Sequence, residues 1–126
     1  MKTTVETDLH TQATKFRVAI KHGIAIGPGK ADLLQAVEVT GSIAEASRQL
    51  GMSYQRAWML VKAMNEDFVA PLVSKQRGGS KQGGAQLTDT GKRVLAIYRA
   101  AESDALQAIG QHLPSLQALL ANPSDQ

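Results

Sequence analysis

Residues Ser42 to Asn65 read SIAEASRQLGMSYQRAWMLVKAMN, and the way this stretch divides decides the fold. Ser42 is a good helix cap, and Glu45 three residues on completes the pattern of a capping box. Ala44, Ala46 and Ser47 are small enough to let another helix come close, and Leu50 is the apolar anchor. Gly51 suits the left-handed turn that ends a helix. Met52 points back inward and Ser53 caps a second helix. From there Ala57, Leu60, Val61 and Met64 recur at three- and four-residue spacing, a single apolar stripe. Two helices, a glycine turn and a polar leading edge on the second make a helix-turn-helix. Such a hairpin is often purely structural, so its surroundings decide whether it binds nucleic acid.

After Asn65-Glu66-Asp67, Phe68 and Val69 are expected to be buried, and Pro71 stops any helix. Leu72 to Arg77 (LVSKQR) is a short strand and Ala85 to Thr88 (AQLT) a returning one. Between them lies the glycine-rich tip Gly78-Gly79-Ser80-Lys81-Gln82-Gly83-Gly84. A glycine tip is commonly just a loop. Placed directly after a helix-turn-helix, and carrying Lys75, Arg77 and Lys81, it reads as a wing. Its backbone can press close to a phosphate while its cations neutralise charge.

Upstream, residues 1–14 are polar and aperiodic and are expected to form a flexible arm. Lys15 to Ile20 (KFRVAI) alternates as a short strand, His22-Gly23 turns, and Ile24 to Ile26 adds an extended piece. Gly27-Pro28-Gly29-Lys30 touches on a phosphate loop, but Ile24 stands where the first glycine should be and Ala31 where Ser or Thr should hold magnesium. It is a turn into a helix. That helix, Lys30 to Val39, presents Leu33, Leu34, Ala36 and Val37 and braces the helix-turn-helix. Asp32, Glu38 and Glu45 read as solvated charges. Thr88 caps a long helix whose apolar side is Val94, Leu95, Ile97, Tyr98, Ala101, Ala105, Ala108 and Ile109. It offers more apolar surface than a small winged domain can cover, so a second copy is the expected partner, with Val94, Ile97, Tyr98, Ala101 and Ala105 at the interface. The competing arrangement folds Leu113 to Leu120 back onto the helix after Pro114. Ala121 to Gln126 are expected to fray.

The 126 residues allow one domain with a modest core. With 43% hydrophobic and 20% charged residues the chain should fold, and with 4% aromatics its core must be aliphatic and alanine-rich. The absence of cysteine excludes disulfides and thiolate zinc sites. No signal peptide or membrane-length apolar run is present, so the default location is cytoplasmic. A net charge of +3 permits a nucleic-acid partner without demanding one. His10, His22 and His112 are scattered, so no metal is expected, and no catalytic constellation supports an enzyme.

TGSIAEASRQLGMSYQRAWMLVKAMN followed by LVSKQRGGSKQGGAQLTDTGKRVL resembles the N-terminal DNA-binding domain of ModE-type, molybdate-responsive regulators, whose winged helix is related to that of LysR-type regulators. The matching points are Gly41-Ser42-Ile43, Leu50, Ser53-Tyr54, Ala57-Trp58, Met64-Asn65, the Gly-Gly-x-x-x-Gly-Gly tip, and Leu87-Thr88-x-x-Gly91. Order and spacing are kept from Thr40 to Leu95. ModE-type proteins continue into oxyanion-binding domains that sense molybdate. This sequence stops at Gln126, so no cofactor is expected here, molybdate entering only through the resemblance.

The expected fold is mainly α within the α+β class: a winged helix-turn-helix with a short β-hairpin wing and a long C-terminal dimerisation helix. Residues 1–14 form the arm, 15–89 the DNA-binding domain, and 90–121 the dimerisation helix and tail. The resemblance implies a sequence-specific repressor whose recognition helix enters the major groove of double-stranded DNA. Ser53, Tyr54, Gln55 and Arg56 then lie nearest the bases and phosphates, with Arg56 suited to guanine and Gln55 to adenine. Met59 is placed for a thymine methyl and Lys62 for backbone phosphate, while Lys75, Arg77 and Lys81 grip the flanking backbone. Trp58 is expected to pack against a neighbouring helix rather than lie on DNA. A homodimer would space two recognition helices roughly 34 Å apart on an inverted repeat. The alternative is a winged-helix protein-interaction module without specific DNA binding, and the basic wing argues against it.

Overall fold

The structure is a computed structural model that describes residues 16–76 and 84–121. A short antiparallel hairpin comes first: β1 (Val18–Ile20) pairs with β2 (Gly23–Ile26). The strand is shorter than the KFRVAI run. All three β1 residues are exposed, whereas Ala25 and Ile26 of β2 are buried.

Helix α1 (Pro28–Thr40) begins with proline in its first turn, where the missing N–H costs nothing. Its Ala31, Leu33, Leu34, Ala36 and Val37 are buried, and each of the larger aliphatics contributes about 1.5–3 kcal/mol by leaving water. Gly41 ends it in the left-handed region (φ 74°), its N–H donating to Val37 O at 2.8 Å. Helix α2 (Ile43–Gln49) follows at once, with Ser42 Oγ accepting from Glu45 N at 3.2 Å. Only this half of the expected capping box forms. The Ser42 N–H donates instead to Thr40 Oγ1, and the Glu45 carboxylate turns to Arg48. The turn then runs through Gly51 (φ 68°), closed by Met52 N–H donating to Ser47 O at 3.0 Å. Leu50, the expected anchor, is only half-buried, and Ile43 and Ala46 do most of the packing.

Helix α3 (Tyr54–Asp67) buries Ala57, Val61 and Met64 along the anticipated stripe, with Leu60 half-buried. Phe68 then turns extended (φ −110°, ψ 170°) and leads the chain over the surface. Phe68 is therefore half-buried and Val69 fully exposed, against the expectation that both are buried. Strands β3 (Val73–Gln76) and β4 (Gly84–Leu87) pair antiparallel, Val73 opposite Leu87 and Gln76 opposite Gly84. Strand β4 is tied to the α1–α2 corner, since Ala85 N–H donates to Gly41 O at 2.9 Å and Gly84 bridges Ser42. The winged helix-turn-helix is thus closed by backbone bonds between hairpin and helix pair.

The last helix, α4 (Asp89–Gln117), is capped by Thr88, whose Oγ1 accepts from Gly91 N at 3.0 Å. Two compact units divide the chain between Tyr98 and Arg99. The winged unit runs Arg17–Tyr98 and takes in the first turns of α4, where Gly91, Leu95 and Tyr98 at i, i+4 and i+7 are all buried. In the other unit the helix continues through Pro114, so the fold-back of residues 113–120 does not occur. Proline removes one bond close to the helix end, and the next turn still closes through Ala118 N–H to Pro114 O at 3.0 Å. Leu116, Leu119 and Leu120 stay exposed.

Candidate nucleic-acid interface

Ser53 starts helix α3 by accepting the Arg56 N–H on its Oγ at 3.0 Å. Its first duty is therefore capping. That cap orients the next three residues, Tyr54, Gln55 and Arg56, as an exposed leading edge. Met59 and Lys62 are exposed too, and with Gln55 they follow the i, i+4, i+7 line of one helix face. Tyr54 is 53% and Met59 64% exposed, values that mark them as surface groups rather than core. A shallow depression between Ser53, Gln55, Arg56, Met59, Leu60 and Ala63 runs along this side.

The charges on α3 run against its own dipole. A helix N-terminus favours acids and a C-terminus favours bases, each by about 0.3–1 kcal/mol. Here the first turn carries Arg56 and no acid, and the last carries Glu66 and Asp67 and no base. The N-terminal edge thus adds the Arg56 cation to the dipole's positive end, and the carboxylates sit at the opposite end of the helix.

The wing joins this surface through the side chains of Asn65 and Trp58. Asn65, near the end of α3, accepts on Oδ1 from Leu72 N (2.8 Å) and Val73 N (3.0 Å) and donates through Nδ2 to Val73 O (3.1 Å). Trp58 is half-buried, and Lys75 of β3 places its Nζ 4.4 Å from the ring centroid. The expectation for the indole was a neighbouring helix; the contact found is with a lysine of a wing strand. Lys75 is exposed, whereas Arg77 and Lys81 lie outside the described residues. The sequence reading also passed over Arg17 and Lys30, which line a depression with Arg56, Gly27, Met52 and Leu60. Lys30 Nζ donates to Ile24 O. No local signal links Arg17 to Arg56; only the hairpin's placement does.

Of the positions expected at a dimer face, Ile97 is 64% exposed and Val94, Ala101 and Ala105 are half-buried. Tyr98, 3% exposed, is buried within the single chain and offers no surface to a second copy. Its helical spacing marked it as apolar-facing but not which neighbour it faces. Next to it Arg99 and Glu102 form an ion pair at 2.9 Å. Among the described residues no helix is long and apolar enough to cross a membrane, and no cluster of His, Cys, Asp and Glu is arranged to hold a metal.

A family model described as the bacterial regulatory helix-turn-helix protein of the lysR family matches residues 30–92, half of the chain. Curated relatives agree. The chain is 39% identical over 94 residues to the molybdenum-pterin-binding protein MopB of Rhodobacter capsulatus, covering 75% of this chain and 35% of that protein. It is 40% identical over 101 residues to the molybdenum transport protein ModE of Azotobacter vinelandii, covering 77% and 37%. It is 32% identical over 81 residues to the transcriptional regulator ModE of Haemophilus influenzae, covering 64% and 32%. The chain spans about a third of the length of these relatives.

Proposed function

The chain belongs to the lysR family of bacterial regulatory helix-turn-helix proteins and carries a DNA-binding domain of the ModE type, and from that premise we propose that it acts as a sequence-specific transcriptional repressor that inserts α3 into the major groove. The observation that carries this reading is the capped, exposed N-terminal edge Tyr54-Gln55-Arg56, with its cation at the helix end where the dipole alone would disfavour one. Gln55 and Arg56 supply the donor and acceptor sets that read adenine and guanine. Met59 meets a thymine methyl, Lys62 and Lys75 meet phosphates, and Arg77 and Lys81 extend the grip from the wing. No cofactor is assigned to these residues.

Arg56→Ala tests the assignment. Binding to the cognate operator should weaken by about 10- to 100-fold, the worth of one bidentate base contact, with a much smaller loss on random-sequence duplex. Equal losses on both would remove Arg56 from base reading.

A regulator of this kind works as a homodimer on an inverted repeat, its half-sites roughly 34 Å apart. The exposed Ile97 and the half-buried Ala101 on α4 are the surface proposed for the second copy. Ile97→Glu combined with Ala101→Glu should shift sedimentation from dimer to monomer mass while leaving the far-ultraviolet helix signal intact. A double variant that still sediments as a dimer places the interface elsewhere.

A further inference from the structure

We propose that Trp58 is a positioning residue for DNA contact: it holds the Lys75 ammonium of the wing at the edge of the recognition helix, so that helix and wing meet the duplex as one piece. This rests on the DNA-binding reading above and deepens it.

Lys75 Nζ stands 4.4 Å from the centroid of the Trp58 ring, within the range at which an ammonium is drawn to an indole face. Trp58 and Asn65 are seven residues apart on α3, which puts them on the same side two turns from each other. Asn65 fastens Leu72 and Val73, where β3 begins, and Trp58 fastens Lys75 further along the same strand. Strand and helix therefore run antiparallel. Seven helical residues advance about 10 Å and the strand from Leu72 to Lys75 about 10 Å, so the two fastenings are in step. One face of the Lys75 ammonium is taken by the ring. It has three N–H donors, so others stay free to meet a phosphate oxygen. A lysine already resting on a ring also gives up less side-chain freedom on meeting that phosphate than one waving in solvent. The ligand class is the DNA backbone phosphate beside the major-groove edge that α3 occupies.

In the plainer account Lys75 merely lays its methylenes over an apolar ring. The two accounts separate in the salt dependence of DNA binding. Lys75→Ala should flatten the log K against log salt line by about 0.9, one phosphate contact. Trp58→Leu, with Lys75 intact, should flatten it by a comparable amount. Adding Lys75→Ala to Trp58→Leu should then change it little, and Trp58→Phe, which keeps an aromatic face, should restore most of the wild-type slope. If Lys75→Ala flattens the line equally in the wild-type and Trp58→Leu backgrounds, the coupling is absent and the proposal falls while DNA binding stands. If the wild-type chain binds no duplex at any salt, the DNA-binding reading falls and takes the proposal with it. Should Trp58→Leu fail to fold, the wild-type chain decides by NMR. Lys75 ε-methylene protons shifted upfield by the indole ring support the placement, and protons at the position of the other lysines overturn it.

Discussion

Gly91→Ala is expected to destabilise the winged unit by roughly 3 kcal/mol or more, an overpacking cost at the upper end of its usual range. The sign is the informative part. Gly91 lies in the first turn of a helix, where alanine is ordinarily favoured over glycine by about 1 kcal/mol. Here a Cβ would sit 2.1 Å from the backbone oxygen of Leu72 and 2.9 Å from its carbonyl carbon. That oxygen cannot swing aside, because it accepts the Thr88 N–H at 2.9 Å. Thr88 in turn donates its hydroxyl to Pro71 O at 2.6 Å and accepts from Gly91 N at 3.0 Å. Making room for one methyl group means parting α4 from the chain entering β3 and straining several of these bonds together. For a unit of this size the melting midpoint should fall by on the order of 10–20 °C. Gly91→Val should be worse. A midpoint unchanged or raised in Gly91→Ala would mean that helix and strand do not approach so closely.

Asn65→Ala ranks second. One side chain satisfies two backbone N–H groups and one carbonyl across the α3–β3 corner. Leu72 and Val73, which carry them, are 0% and 4% exposed, so water does not readily replace the amide. Leaving a buried donor unmade costs about 1–3 kcal/mol, and two are left here, so a loss of about 3 kcal/mol by chemical denaturation is expected. Asn65→Asp should recover part of it. It keeps an oxygen for Leu72 N and Val73 N but sets its other oxygen against the Val73 carbonyl, with no proton to share. The loss should carry over to function, since Asn65 also fixes where the wing starts. If Asn65→Ala unfolds at the wild-type denaturant midpoint, the corner is held by packing alone.

Much of the fold was legible because its signals are local. Gly41 and Gly51 mark helix ends that require positive φ, and Ser42 and Ser53 cap the helices that follow. The apolar stripe on α3 and the strand–glycine–strand pattern needed only neighbouring residues to be read. What stayed hidden depends on partners distant in sequence. Nothing near Gly91 tells that Leu72 lies against it, and an asparagine at the end of a helix reads as a terminus rather than as a brace for a strand. The Trp58–Lys75 pair joins a helix to a strand across an intervening turn. Tyr98 shows a different limit: helical periodicity tells that a side is apolar, not whether the covering comes from the same chain or a second copy. Val69 shows that an apolar residue just past a helix end can stand in solvent when the chain leaves the helix there. At the candidate interface, the exposure of the leading edge of α3 followed from the apolar stripe and the cap, whereas Arg17 and Lys30 come beside Arg56 only through the placement of the β1–β2 hairpin and the start of α1.

The measurement that bears most directly on the account is binding of this chain, across a salt series, to its own promoter region and to a random-sequence duplex of equal length. The account predicts tighter binding to the promoter at every salt concentration, with steep loss of affinity as salt rises on both. Equal affinity for the two duplexes, or no binding at low salt, would contradict it.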